Sequence, residues 1–168
     1  MAAISWPIVV AAVLGLTLSG SLWWVYFDVT ALAAERAVAD TPEEDRPRLA
    51  RDAYSYLHLP IIAGVVLLAV GFKKVLEYVA DTEHHDLSDS LTGIGLYALY
   101  GGVALYLLGH VAFKLRTMRT LSLPRTIVSA VLVVLIPLAT QLPALAALGI
   151  LTALIVALIS FETVRLAG

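Results

Sequence analysis

The chain has 168 residues, 60% of them hydrophobic and 14% charged, and a mean hydropathy of +0.90, far from the roughly one quarter of charged residues in ordinary soluble domains. At roughly 20 apolar residues per membrane span, spans take up most of this length, which excludes a separate soluble catalytic domain. A net charge of -2, from 11 basic and 13 acidic residues, offers no polyanion-binding surface, so no nucleic-acid partner is expected, and the absence of cysteine excludes disulfides, thiolate metal sites and a cysteine nucleophile.

Five apolar runs, separated by charge clusters, predict an all-α polytopic bundle that fills the whole chain, 1–168, as one transmembrane domain. The first run covers 4–27, carries no charge before Asp28, and ends in an aromatic block, Trp23-Trp24-Val25-Tyr26-Phe27, at the place of an interfacial belt. It has no basic leader and is longer than a signal-peptide core, so it reads as a span. The loop 28–53 is highly charged, and Thr41, Pro42 and Glu44 suggest an N-cap, a first-turn proline and a capping box that open a short surface helix.

The second span covers 54–78, and Lys73, Lys74 and Glu77 at its far end are spaced to pair along one face while their stems snorkel. Asp81, Glu83, His84, His85, Asp86 and Asp89 follow in a loop that reads as solvated, because adjacent ligands point to different faces of regular structure. The third span covers 91–113. The fourth and fifth, 124–140 and 143–166, are separated only by Gln141 and Leu142, and Pro143 suits a helix start, which predicts a tight hairpin. Pro137 is a candidate kink in the fourth span.

Alternate sides of five spans receive unequal positive charge. Arg36, Arg46, Arg48, Arg51, Lys114, Arg116, Arg119, Arg125 and Arg165 fall on one side, Lys73 and Lys74 on the other. The richer side is expected to be cytoplasmic, with the N-terminus outside and the C-terminus inside.

On this topology the cytoplasmic ends of four spans gather the unusual polar residues. Trp24 and Asp28, Tyr54 and His58, and Tyr106 and His110 are each spaced i, i+4, and Glu162 joins them from the last span. His110 lies one turn before Lys114, about 6 Å inside the helix end at 1.5 Å per residue. An ionisable side chain within a span usually faces the bundle interior or a wet cavity, and an imidazole there can accept, relay or sense a proton, with Asp28 or Glu162 to orient it. These seven residues form the candidate ligand or proton site. The alternative places Trp, Tyr and His in the headgroup belt, and Trp23 and Tyr26 are assigned there.

His58 and His110 also raise bis-imidazole haem ligation, but no other spacing or attachment motif supports it, and no cofactor or metal is expected. Ser55 and His58 are i, i+3 on a helix without an oxyanion device, so no catalytic residues are expected and the chain does not read as an enzyme. In the third span Gly95, Ala98, Gly102 and Gly109 form a small-residue stripe that lets another helix approach closely.

Three ordered blocks carry a resemblance: Leu22-Trp23-Trp24-Val25-Tyr26-Phe27-Asp28, then Tyr54-Ser55-Tyr56-Leu57-His58-Leu59-Pro60 continuing through Ile61-Ile62-Ala63-Gly64, and Ala98-Leu99-Tyr100-Gly101-Gly102-Val103-Ala104-Leu105-Tyr106-Leu107-Leu108-Gly109-His110. The chain resembles the bacterial low temperature requirement protein A family, LtrA, over nearly its whole length, in the carboxy-terminal part of that family. Its longer members carry an upstream Phe-Phe-Asp span and a Leu-Gly-Glu motif that this sequence lacks. The resemblance implies a multi-pass protein of the bacterial inner membrane, linked by name to growth in the cold. Asp28, His58 and His110 match its blocks, and no catalytic role comes with them.

Two functional readings follow. One is a transporter-like or small-ligand- or lipid-binding membrane module with a wet cavity at the polar cluster and membrane lipids as partners. The other is a structural or assembly subunit that meets a second copy, or the upstream half of a longer LtrA-type protein, through the small-residue face of the third span.

Overall fold

The computed structural model describes residues 5–27 and 39–167, without the side chains of 53, 54, 166 and 167. The described residues form six helices: α1 (Trp6–Val25), α2 (Arg46–Arg51), α3 (His58–Ala80), α4 (Ile94–Met118), α5 (Leu123–Ala139) and α6 (Ala144–Ala167), with a π-helical turn, Asp52–Tyr56, leading into α3. Among the described residues the β pairing is one isolated bridge between Ser90 and Pro143. By length and composition α1, α3, α4 and α6 can each cross a membrane, and α5 is a shorter apolar helix of 17 residues. The chain is a helical membrane bundle.

The helices divide by what their surfaces must face. In α4, 72% of the most apolar window is buried, against 28% in both α1 and α3. α4 is therefore the core helix, and its inward face sets Gly95, Ala98, Gly102, Ala104 and Gly109 among larger buried residues such as Leu96, Leu99, Val103 and Leu107. Lipid tails are as apolar as leucine, so burying leucine between helices in a bilayer gains little. Close backbone approach through small residues gains dispersion contacts instead.

That approach is tightest between α3 and α4. A Cβ on Gly102 would stand 2.6 Å from the Leu68 nitrogen and 2.8 Å from the Gly64 oxygen, and a Cβ on Gly64 would stand 2.7 Å from the Gly102 oxygen. Further along the same face, a Cβ on Gly95 would meet the Lys74 stem at 2.9 Å and one on Gly109 would meet Ile61 at 2.7 Å. Ala98 is buried as well. The stripe of Gly95, Ala98, Gly102 and Gly109 is thus a packing face, but the helix it receives is α3 of the same chain. It is covered, and this corrects the expectation that it presents itself to a second copy.

Two buried tyrosines tie α4 to its other neighbours, each hydroxyl finding a carbonyl as buried phenols do. Tyr100 donates to the Ala147 oxygen of α6 at 2.8 Å, and Tyr106 donates to the Leu22 oxygen of α1 at 2.6 Å. The connection from α5 to α6 is the expected tight turn: Gln141 and Leu142 donate to the oxygens of Leu138 and Ala139, and Ala147 donates to Pro143 to open α6. Even so, α5 packs chiefly on α4 and α6 chiefly on α1. The loop between α3 and α4 clasps this turn, with Ala144 donating to the Asp89 oxygen at 3.2 Å.

The charged loop holds a short helix that starts later than expected. Pro42 accepts from the backbone of Asp45 and Arg46, and α2 opens at Arg46 with Pro47 in its first turn. The Arg46 guanidinium donates to the oxygens of Ala39 and Thr41, which fixes 39–45 as a turn rather than as the capping box. At the end of α2, Arg116 from α4 pairs with Asp52 at 3.0 Å, and that bond holds the Asp52 carboxyl below its usual range.

Candidate functional site

The polar residues at one end of the bundle fall into two groups around α4. In the first, the Tyr26 hydroxyl and His58 Nε2 share a hydrogen bond of 3.0 Å. The Tyr26 ring stands nearly perpendicular to two imidazoles, with its centroid 5.7 Å from His58 at 84° and 5.7 Å from His110 at 90°. Phe113 closes the far side of His58 with centroids 5.6 Å apart, and Tyr106 lies 4.4 Å from His110.

His110 is 1% exposed. Its Nδ1 lies 2.9 Å from the Tyr106 oxygen, one turn back on α4. A carbonyl only accepts, so the proton sits on Nδ1, and Nε2 of the neutral ring is an acceptor. That Nε2 is buried and has no hydrogen-bond partner among the described residues. Such an orphan is unusual in a folded core.

The second group is an ion pair. Arg125 of α5 is 5% exposed, and its guanidinium donates to both oxygens of Glu162 on α6, Nε to Oε1 at 2.9 Å and Nη2 to Oε2 at 2.9 Å. This bidentate fork satisfies both charges locally. Ser129, one turn on, donates to the Arg125 carbonyl at 2.7 Å. The guanidinium is close enough to act electrostatically on Tyr106 and His110.

Beside the first group a groove of about 420 Å³ runs between α1 and α3. Leu22, Ile61, Ile62, Val65, Val66 and Leu68 supply most of its apolar wall, and Tyr26, His58 and Tyr106 stand at one end. Trp23, Ile62, Val65 and Val66 are largely exposed, so the groove opens sideways onto the apolar surface of the bundle.

A family model described as bacterial low temperature requirement A protein (LtrA) matches residues 1–160. The chain belongs to the LtrA family. None of the curated proteins and none of the solved structures matches it. Of the seven residues expected to form one site in this LtrA chain, His58, Tyr106 and His110 come together around Tyr26. Glu162 is held by Arg125. Trp24 is 46% exposed and does not line the groove, whereas its neighbour Trp23 does. Asp28 and the side chain of Tyr54 lie outside the described residues.

Two participants were read otherwise in the LtrA sequence. Tyr26 was assigned to the aromatic belt, but it follows Leu18, Leu22 and Val25 on the buried side of α1, and that spacing was the available signal. Arg125 was counted as a loop cation. It shares the inward face of α5 with Ser129 and Leu132, at intervals of four and seven residues, so the face was legible although the Glu162 partner was not. In the outer loop, His84 pairs with Asp81 at 2.9 Å and His85 with Asp89 at 3.4 Å. Among the described residues no group of three or more His, Cys, Asp or Glu could hold a metal ion.

Proposed function

We propose that this LtrA-family chain is a transporter-like, small-ligand- or lipid-binding module of the bacterial inner membrane, and that the groove between α1 and α3 is where the ligand sits. The observation that carries this reading is the groove itself: a largely apolar channel of about 420 Å³, within the range of ligand pockets, with Tyr26 and His58 at one end and the Ser19 hydroxyl further along the α1 wall. It opens toward lipid, so its ligand arrives from the bilayer. Catalysis is not part of the reading, because the cluster holds imidazoles and phenols without an activated nucleophile or oxyanion device.

The polar end is assigned to the cytoplasmic side. Among the described residues Arg46, Arg48, Arg51, Lys114, Arg116, Arg119 and Arg165 lie toward it and Lys73 and Lys74 toward the other end, even after Arg125 is set aside as a buried partner of Glu162. On this reading the C-terminus is inside and the N-terminus outside. Membrane lipids are the proposed partners.

The test is native mass spectrometry of the protein released from lipid nanodiscs. One lipid or small amphiphile should remain bound per chain, and Val65→Phe, which fills the groove from α3, should strip it. Equal retention by the two proteins would refute the assignment of the groove.

A further inference from the structure

We propose that the α1–α3 groove is blind, closed at the middle of the bundle by the Phe72 ring seated on Gly15, and that it takes the hydrocarbon chain of a lipid from the leaflet beside Tyr26 and His58, with Phe72 setting how deep the chain reaches. The proposal rests on the groove being a binding site and identifies its occupant by the chain, whatever the headgroup.

The stop follows from helical spacing. The groove wall recurs at intervals of three and four residues on both sides, through Tyr26, Leu22 and Ser19 on α1 and through His58, Ile61, Val65 and Leu68 on α3. One turn beyond Ser19 stands Gly15, and one turn beyond Leu68 stands Phe72, each in line with the wall that precedes it. A Cβ on Gly15 would press on the Phe72 ring, 2.5 Å from Cε2 and 3.0 Å from Cε1, well inside the optimal separation of about 3.5 Å. The ring therefore fills the space that a side chain on α1 would take. Helical side chains lean toward the N-terminal end of their helix, so Phe72 leans back toward the groove and brings its ring to the level of Gly15, midway along α1. The ring also packs against the bundle core, which holds it there.

Length and width then set the occupant. From His58 to Leu68 α3 rises about 15 Å at 1.5 Å per residue, half of a hydrocarbon core of roughly 30 Å. The groove thus belongs to one leaflet. A helix about 10 Å across occupies roughly 1,200 Å³ over that length, far more than the groove volume of about 420 Å³, so the space has the width of a chain and not of a second helix. Ile62, Val65 and Val66 on its rim are largely exposed, and a chain enters sideways from the bilayer across them. Inside, Leu22, Ile61 and Leu68 offer dispersion contacts along the chain, and these contacts end where the tip meets the ring.

The experiment uses the full chain in lipid nanodiscs, photolabelled with a lysophosphatidylcholine or a free fatty acid that carries a diazirine at the end of a dodecanoyl or a hexadecanoyl chain. Labelled residues are located by tandem mass spectrometry, and only labelling suppressed by an excess of the same lipid without diazirine is counted. In the wild type the tips of both headgroup series should label no deeper than Ser19, Leu68 and Phe72. In Phe72→Leu, and more completely in Phe72→Ala, the hexadecanoyl tip should advance by one helical turn, about 5.4 Å, onto Ala11 and Leu76, while the dodecanoyl tip stays where it was. The leucine variant keeps an apolar side chain against the core and carries the test should the alanine variant fail to fold. Suppressible labelling of Ala11 or Leu76 in the wild type, or the same tip positions in all the proteins, would overturn Phe72 as the stop and leave the groove as a binding site. If no labelling of groove residues is suppressed, as when a helix of a second copy covers them, the groove reading falls with it.

Discussion

Adjacent glycines at the centre of α4 make opposite predictions. Replacing either by Ala adds one methyl group and the same intrinsic helix preference, worth up to about 1 kcal/mol. A Cβ on Gly101 would meet nothing within 4 Å, whereas one on Gly102 would meet the Leu68 nitrogen at 2.6 Å, the Gly64 oxygen at 2.8 Å and the Leu67 Cβ at 3.0 Å. Optimal separations are near 3.5 Å, so α3 and α4 must part locally by about 1 Å, and backbone atoms cannot turn aside as a side chain would. Overpacking costs about 1–3 kcal/mol, and the backbone contacts place Gly102→Ala in the upper half of that range. Gly101→Ala should therefore be neutral or stabilising by up to about 1 kcal/mol, and Gly102→Ala should lie about 2–3 kcal/mol below it. Reversible unfolding in bicelles, read by steric trapping, measures both. A difference within about 0.5 kcal/mol, the scatter of ordinary surface substitutions, would refute the close α3–α4 crossing.

The Arg125–Glu162 pair should tolerate joint replacement better than single replacement. Glu162→Gln alone strands a buried guanidinium and should cost about 3–5 kcal/mol, while Arg125→Met with Glu162→Leu should recover most of that, as read by thermal unfolding in detergent. Tyr106→Phe removes one of two bonds to the Leu22 carbonyl, which keeps the Tyr26 backbone N–H, at a cost of about 0.5–1.5 kcal/mol; hydrogen exchange should show earlier opening at the α1 end nearest it. For Asp52 the folded carboxyl titrates below its ordinary value of 3.8 because Arg116 hydrogen-bonds it. The contact therefore contributes stability above that pH and loses it as pH falls through the lower folded value. Amides of 46–56 should lose exchange protection in that acid range in the wild type, and Arg116→Gln should show weaker protection already at neutral pH.

How far the sequence could be read depends on whether an element is set by its own residues or by its neighbours. Five helices at the expected places follow from apolar runs broken by Asp28, Asp81, Arg119 and the Gln141-Leu142 turn, all local signals. His110 was legible too, since an imidazole inside a span has to be buried and served. The stripe on α4 announced close packing, but its partner face on α3, with Gly64 and Gly71, became apparent only in three dimensions. Arg125 and Tyr26 were misread for a common reason. Each lies near the end of a span, where composition fits a headgroup layer and a buried pocket equally, and only partners 37 and 32 residues away, Glu162 and His58, separate the two. The surface helix began late because the Arg46 side chain competes for the carbonyls of 39 and 41.

The most direct test of the central claim is a structure of the chain in lipid nanodiscs at neutral pH, inspected along the wall formed by α1 and α3. The account predicts an elongated non-protein density running from Val66 to the Tyr26–His58 pair, lost in Val65→Phe. A groove closed by Trp23 and Phe27 lying flat on Ile62 and Val65, with no density between the helices, would contradict it.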